Sequence, residues 1–295
     1  MMRTERISDA QPAAASRKRR KHSLRFRLIR LGVIAILLTA FLWWQDNALE
    51  TTDITFASAK FPAALNGFTV VQISDLHNKE FGADSKRLLA EIRAASPDLI
   101  AITGDLIDSR HTDVDAAVTF CKGAAEIAPV YYISGNHELR VQADYDRLLA
   151  EMEQAGVRIV NDKTVRIAEG FWLVGLDELT IAGTEKSPLA ESLAAQVPAG
   201  AFTLALAHMP QQFDVYAQYG FDLVLCGHAH GGQIRIPFTD IGLYAPGQGL
   251  FPDYTAGRYD RGATAMIVSR GLGNSAFPFR IFNRPELVKI VLTNE

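Results

Sequence analysis

Short apolar runs alternate with amphipathic stretches along this chain from about Thr51 onward. The runs are rich in Val, Ile, Leu and Phe and have few polar interruptions. Such runs predict strands that are buried on both faces, as in a parallel sheet. The predicted strands are Phe68–Ile73, Leu99–Thr103, Val130–Ser134, Phe171–Gly175, Phe202–Ala207, Leu223–Cys226, Ala263–Val268 and Glu286–Leu292.

Stretches between these strands carry apolar residues at helical spacing. The predicted helices are Ser85–Ala95, Asp113–Ile127 and Asp144–Gln154. In the first of them, Leu88, Leu89 and Ile92 fall on one face. The other two begin with an aspartate, whose carboxylate suits the N-cap of a helix. Strands that alternate with helices predict an α/β fold with a largely parallel sheet, and no linker divides residues 51–295.

The N-terminal part has a different composition. Residues 1–30 hold ten of the 30 Lys and Arg residues but only two of the 33 Asp and Glu residues, so the remainder is acidic within a net charge of −3. An acidic body would repel phosphate backbones, so we expect no nucleic-acid binding. The run Leu31–Trp44 is uncharged, and a helix that starts at Leu28 would reach about 26 Å, close to the thickness of a hydrocarbon core.

We therefore predict a basic cytoplasmic tail over residues 1–27, a transmembrane anchor over 28–45 and a folded domain over 51–295. Cations precede the apolar run and acidic residues follow it, which places the tail in the cytoplasm and the body outside, on the inner or cytoplasmic membrane. A cleaved signal peptide is one alternative, although no clear small-x-small site follows the tryptophans. A helix that lies in the membrane interface or in a protein core is another.

Acidic residues and histidines follow five of the predicted strands, at the points where these strands end. The segments are Asp75-Leu76-His77, Gly104-Asp105-Leu106-Ile107-Asp108, Gly135-Asn136-His137-Glu138, His208 and Gly227-His228-Ala229-His230. Open α/β sheets bind ligands at the carboxyl edge of their strands, so we expect these side chains to converge. The candidate metal ligands are Asp75, His77, Asp105, Asn136, His208, His228 and His230.

This mixed set of oxygen and nitrogen donors suits Mn, Fe, Zn or Co better than Mg or Ca, and it is large enough for two divalent ions. Each segment alone also has an ordinary structural explanation. An Asp-x-His segment is commonly a turn followed by a surface histidine, Asn136 suits a turn, and His208 suits a buried core position. The complete set, with every segment closing a strand, favours a metal site.

The ordered set of segments resembles the motifs of the calcineurin-like metallophosphoesterases. The resemblance runs from about residue 68 to 232, and the stretches 231–237 and 269–287 are similar to those of small bacterial members with an N-terminal export or anchor segment. It implies a four-layer α/β/β/α sandwich with a dimetal centre at the strand ends. Residues 51–295 would then be a metallophosphoesterase catalytic domain.

The resemblance also implies a role for each site residue. Two ligand sets would share Asp105 as a bridge. One set is Asp75, His77, Asp105 and His230. The other set is Asp105, Asn136, His208 and His228. His137 is implied to be catalytic and Asp108 to orient it, whereas spacing alone leaves open which of His228 and His230 serves which ion.

From these motifs we expect hydrolysis of a phosphoester bond by a hydroxide held between two cations. We expect His137 to donate a proton to the leaving oxygen or to stabilise the charge that develops there. The anchor and the aromatic residues of 231–259 favour a phosphodiester or pyrophosphate bond in a lipid- or envelope-linked substrate. A phosphomonoesterase is the alternative enzyme. In another class, an inactive envelope metal-binding protein would require a broken motif, and none is broken.

Overall fold

The structure is a computed structural model of the 295-residue chain, and it describes residues 13–181, 187–275 and 277–294. The chain divides into two compact units, Met1–Trp44 and Gln45–Glu295. Residues 1–12 of the predicted basic tail lie outside the described residues.

An N-terminal helix, α1 (Ala13–Asn47), contains the predicted apolar segment. Its stretch Leu24–Asn47 is long and apolar enough to cross a membrane, and it is the one such helix among the described residues. Its apolar side chains are largely exposed, Leu28 and Ile36 among them. The helix confirms the expected N-terminal apolar segment and begins before residue 28.

The strands of the second unit form two six-stranded sheets and one hairpin within the described part of the chain. The first sheet contains β1 (Glu50–Ala57), β2 (Phe68–Ile73), β3 (Leu99–Thr103), β4 (Val130–Ile133), β5 (Arg158–Ile159) and β14 (Glu286–Thr293). The second sheet contains β6 (Lys163–Ala168), β7 (Phe171–Gly175), β8 (Phe202–Leu206), β9 (Leu223–Cys226), β12 (Gly257–Arg261) and β13 (Thr264–Val268). The hairpin consists of β10 (Tyr244–Ala245) and β11 (Gly249–Leu250).

Both sheets are parallel at their centres. The strand orders are β1-β14-β2-β3-β4-β5 and β12-β13-β9-β8-β7-β6. Strands β2 to β5 run parallel to one another, as do β13, β9, β8 and β7. Antiparallel neighbours occur at β14–β2, β6–β7 and β12–β13. The parallel centres bring the loops after β2, β3 and β4 to one edge of the first sheet and those after β8 and β9 to one edge of the second.

Helices cover the outer faces of the two sheets. They are α2 (Lys86–Ala95), α3 (Val114–Ala125), α4 (Gln142–Gln154), α5 (Pro188–Ala194) and α6 (Phe213–Gln218). One apolar cluster joins α2, α3 and α4 to the first sheet, another joins α5 and α6 to the second, and a third lies between the sheets. In that middle layer the Phe202 ring meets Phe61 edge-on at 5.1 Å and Phe171 at 5.6 Å. The layers confirm the α/β/β/α sandwich.

The two predicted aspartate caps have different outcomes. Asp113 caps α3 as predicted, since its carboxylate accepts a hydrogen bond from the Ala116 amide at 3.0 Å. The cap predicted at Asp144 is wrong, because α4 begins at Gln142 and its N-cap position is Val141. The turn Glu138–Arg140 leads directly into the helix and places Asp144 inside the first turn.

Candidate active site

The loops at the strand ends bring all seven candidate ligands together. Among the described residues, donor atoms of the acidic and histidine side chains approach within 4.8 Å of one another in three buried groups. The groups are Asp75, His77 and His230; His77, Asp105 and His137; and Asp105, His208 and His228. The seventh candidate, Asn136, has its side-chain amide 2.8 Å from Nδ1 of His228.

The backbone is strained at most of these positions. Non-glycine residues with positive φ angles are uncommon, and they collect at functional sites where the surrounding fold holds them. Five of the seven candidates have this conformation: Asp75, His77, Asp105, His228 and His230. Gly104, at φ 89°, allows the close approach of the β3 and β4 loops, because a Cβ there would lie 2.7 Å from Gly135 and from His208 Nδ1.

One half of the site is built on the loops after β2 and β9. Nε2 of His77 lies 3.2 Å from Nε2 of His230, which is 3.6 Å from Oδ1 of Asp75. Two donor atoms that each bind one ion at about 2.1 Å are themselves about 3.0–3.5 Å apart, so this spacing is close to that of a shared cation. Burial lowers the pKa values of His77 and His230 to about 3, so both rings are neutral and have lone pairs to offer.

The other half uses the loops after β4, β8 and β9. Nε2 of His208 lies 3.2 Å from Nδ1 of His228 and 3.3 Å from Oδ2 of Asp105. The opposite nitrogen of His208, Nδ1, donates to the Thr103 carbonyl at 2.7 Å and so fixes the direction of the ring. The Asn136 amide can turn either its nitrogen or its oxygen to His228 Nδ1, and the oxygen is the atom that would bind an ion.

Asp105 connects the two halves. Its Oδ2 lies 3.3 Å from His208 Nε2 and 3.7 Å from His77 Nε2, which is the position required of a bridging carboxylate. Its Oδ1 accepts a hydrogen bond from the His137 amide at 2.8 Å. Asp105 is buried, which raises its pKa, but His208 and His77 outweigh burial and hold that pKa well below its ordinary value.

The Asp105–His208 pair is ionised without a metal. Burial lowers the pKa of His208, but the charge and hydrogen bond of Asp105 outweigh burial and raise that pKa to about 10. The protonated His208 ring therefore has its Nε2 next to Oδ2 of Asp105 and Nδ1 of His228. A divalent cation among these atoms would take the place of the proton. The donor set thus fits metal ions in both halves.

His137 lies beside the candidate metal ligands and has a fixed tautomer. Its Nδ1 accepts a hydrogen bond from the Ser109 backbone amide at 3.0 Å. Because an amide can only donate, Nδ1 carries no proton, and the proton of the neutral ring is on Nε2. That nitrogen lies 3.1 Å from Oγ of Ser275, so Ser109 and Ser275 orient this imidazole.

Asp108 lies between two imidazoles. Its Oδ2 is 3.6 Å from Nδ1 of His77 and 3.7 Å from Nδ1 of His137, and no hydrogen bond joins it to either ring. Its Oδ1 accepts from the backbone amides of Arg110 and His111 at 2.7 and 3.2 Å. Asp108 is therefore about as close to Nδ1 of His77 as to Nδ1 of His137. A carboxylate in this position next to a metal-binding histidine orients its ring.

Glu138 has a structural role that the sequence reasoning missed. Its fully buried carboxylate accepts four backbone hydrogen bonds, from Asp105, Leu106, Ile107 and Gly135. It thus ties the loop after β3 to the loop after β4. Burial, with the charge of Asp105, raises its pKa to about 7. The signal available in the sequence was a carboxylate that directly follows His137, within one of the segments that close a strand.

Comparison with known proteins agrees with this site. The calcineurin-like phosphoesterase family matches residues 68–232. The chain is 30% identical to the metallophosphoesterase YkuE of Bacillus subtilis over 258 residues, which cover 84% of this chain and 87% of that protein. It is 30% identical to the phosphodiesterase YaeI of Escherichia coli, over 76% of this chain and 82% of YaeI. It is 27% identical to a transmembrane protein with a metallophosphoesterase domain of Danio rerio, over 89% of this chain and 63% of that protein.

Proposed function

The chain belongs to the calcineurin-like phosphoesterases, a family of metal-dependent phosphoester hydrolases, and we propose that it hydrolyses a phosphodiester or pyrophosphate bond in a lipid- or envelope-linked substrate. The observation that carries the proposal is the convergence of seven donor side chains around Asp105. The name of its relative YaeI, a phosphodiesterase, supports the diester over the monoester.

Two divalent ions would be held by the two halves of the site. One would bind Asp75, His77, Asp105 and His230. The other would bind Asp105, Asn136, His208 and His228. The mixed donors favour Mn, Fe, Zn or Co. Ions in these positions would neutralise phosphate oxygens and make a water nucleophilic near neutral pH.

His137 would stabilise the charge that develops on the leaving oxygen. The Ser109 amide keeps its proton on Nε2, the nitrogen that faces Ser275 at the site. When the bond between phosphorus and the leaving oxygen breaks, the Nε2–H group would donate a hydrogen bond to that oxygen, which then takes its proton from water. Asp108 would hold the ring of His77 and support that of His137 from behind.

The membrane helix would hold the enzyme at the inner or cytoplasmic membrane. We place the basic tail in the cytoplasm and the catalytic unit outside, because cations precede the apolar segment and acidic residues follow it. A fluorescent protein that matures only in the cytoplasm, fused before Met1, tests this orientation. Fluorescence is expected, and a dark but full-length fusion would reverse the orientation.

The reaction is tested with bis(p-nitrophenyl) phosphate and p-nitrophenyl phosphate, using the full chain with added Mn²⁺. We expect a higher kcat/KM for the diester, and no turnover by Asp105→Asn. The matched control is Asp84→Asn, since the Asp84 side chain is 63% exposed and lies in an ion pair with Lys86. A preference for the monoester would favour the phosphomonoesterase. Bound metal without turnover of either ester would favour the inactive metal-binding protein.

A further inference from the structure

Large apolar side chains are exposed beside the active site. Of the ten that are exposed among the described residues of the second unit, eight belong to two segments, 236–251 and 277–282. These are Ile236, Phe238, Ile241, Tyr244, Leu250, Phe251, Phe277 and Phe282, which we call the apolar rim. Contiguous exposed apolar surface of this kind marks a contact with a membrane or with another molecule.

The two segments adjoin each other and the catalytic groups. A β-bridge pairs Ile234 with Ile281, immediately beside the rim residues of each segment. Tyr244, Phe277 and Ser275 line one pocket of about 160 Å³, whose walls are mostly apolar. Ser275 is also the residue whose Oγ lies 3.1 Å from Nε2 of His137. Two rim residues, Tyr244 and Phe277, therefore line a pocket that also contains the serine next to the His137 imidazole.

The second unit begins with residues that bind this same region. Oδ1 of Asp46 accepts hydrogen bonds from the Arg280 amide at 2.8 Å and from Nδ2 of Asn274 at 3.1 Å. Oε1 of Gln45, a buried side chain, accepts from the Asn283 amide at 3.1 Å. These three partners flank Phe277 and Phe282.

Gln45 and Asp46 directly follow Trp43 and Trp44, which suit the membrane–water interface. The first residues to leave the bilayer are thus bonded to the segment that carries part of the apolar rim. Because Gln45 is joined directly to Trp44, the chain tethers this segment to the bilayer that the apolar segment spans. A lipid bilayer is therefore the partner that this surface is most favourably placed to contact.

We propose that the apolar rim contacts the same lipid bilayer that the apolar segment before Gln45 spans, so that the active site opens at the bilayer surface. Phe238 and Phe251 would transfer apolar area from water into the interfacial layer, where aromatic rings are favoured. The consequence for catalysis rests on the proposed function. The pocket takes the apolar part of a membrane phosphodiester while its phosphate lies at the metal-binding groups.

The contact is tested by fluorescence quenching on the full chain in phosphatidylcholine vesicles. Ile241→Cys is compared with Leu189→Cys, because these aliphatic residues are 46% and 47% exposed and Leu189 lies on α5, away from the rim segments. The native Cys121 and Cys226 are buried, so an environment-sensitive label marks the new thiol. A spin-labelled lipid should quench the label at 241 and leave the label at 189 bright.

Equal quenching at the two positions would overturn the proposal. So would a label at 241 that is quenched only by other labelled chains as the protein-to-lipid ratio rises, because the rim would then bind a second copy. Neither outcome depends on catalysis. The quenching experiment therefore remains decisive if the proposed function fails.

The catalytic consequence is tested with two fluorogenic phosphodiesters that differ only in carrying a hexadecyl or a methyl group. The double variant Phe238→Ser/Phe251→Ser should lower the ratio of kcat/KM for the vesicle-borne hexadecyl ester to that for the soluble methyl ester by about tenfold. An unchanged ratio would overturn this consequence. Failure of the unaltered chain on both esters would instead refute the proposed function.

Discussion

Asp105 is the residue on which the two halves of the site depend. Its Oδ2 faces His208 on one side and His77 on the other, while its Oδ1 accepts the His137 amide at 2.8 Å. One carboxylate therefore contacts donor atoms of both halves and holds the backbone of His137. Substitutions can separate the function of Asp105 from the functions of its neighbours.

His137→Ala should abolish most activity and leave the metals bound. Removing one hydrogen bond that stabilises a developing negative charge costs about 10²–10³-fold in kcat, so kcat for the diester should fall within that range. Asp105→Ala should lose metal and activity together, because it removes the donor that both halves share. Elemental analysis of the two purified variants checks the distinction, and equal loss of metal from both would refute it.

Metal uptake should release a proton near His208. The pKa of about 10 places a proton on this ring in the metal-free site, whereas His77, His228 and His230 are already neutral. A cation must displace that proton, so affinity should rise with pH, by about tenfold for each pH unit below pH 10. Calorimetry of metal binding in two buffers of different ionisation enthalpy counts the proton. A heat that is the same in both buffers would contradict the displacement.

At the scale of elements, the sequence predicted the buried strands and missed the edges. The runs Phe68–Ile73 and Leu99–Thr103 are strands with the predicted bounds, because they are buried on both faces and almost wholly apolar. The edge strand β1, ETTDITFA, is exposed at alternate residues and its polar composition hid it. Strand β12, GRYDR, lies at the edge of the second sheet, and its polar composition hid it in the same way.

The convergence of the candidate metal ligands was predictable because each of them follows a strand, and parallel strands gather their carboxyl ends at one edge. The supporting contacts were not. Ser109 and Ser275 meet at His137 although 166 positions separate them along the chain, a proximity that no local pattern encodes. The position of Asp108 next to both His77 and His137 is likewise seen only in the folded structure.

Glu138→Gln should loosen the connection between the loops after β3 and β4. In the variant, an NH₂ group replaces one carboxylate oxygen and cannot accept the backbone hydrogen bonds that this oxygen accepted. About 1–3 kcal/mol of stability should therefore be lost. Metal affinity should fall as well, because the backbone amide of Asp105 is one of the groups that donate a hydrogen bond to Glu138. Urea denaturation measures the first effect, and the exposed Glu126→Gln is the control. A variant as stable as the control would show that this carboxylate does not tie the loops.

At the scale of the whole molecule, the folded unit extends upstream of its first strand. Gln45 and Asp46 accept hydrogen bonds from the 274–283 segment and lie in the same compact unit as the sheets. The segment they hold contains Ser275, which contacts His137. The junction after the membrane helix is therefore part of the support of the active site.

A chain shortened to begin at Gln45 should be more stable than one that begins at Thr51. The longer chain keeps the Asp46 and Gln45 contacts and the whole of β1, and each hydrogen bond to a charged acceptor contributes about 1.5–3 kcal/mol. Urea denaturation of the two chains gives the difference. Equal midpoints and slopes would show that residues 45–50 contribute nothing.

The most direct test of the dimetal site is the number of ions that the folded full chain retains. The protein is saturated with Mn²⁺ or Zn²⁺, freed of excess metal by gel filtration and analysed for metal and protein together. Two ions per chain are predicted, falling in Asp105→Asn because both halves lose their common donor. A folded, saturated chain that holds a single ion, or an Asp105→Asn variant that still holds two, would contradict the account.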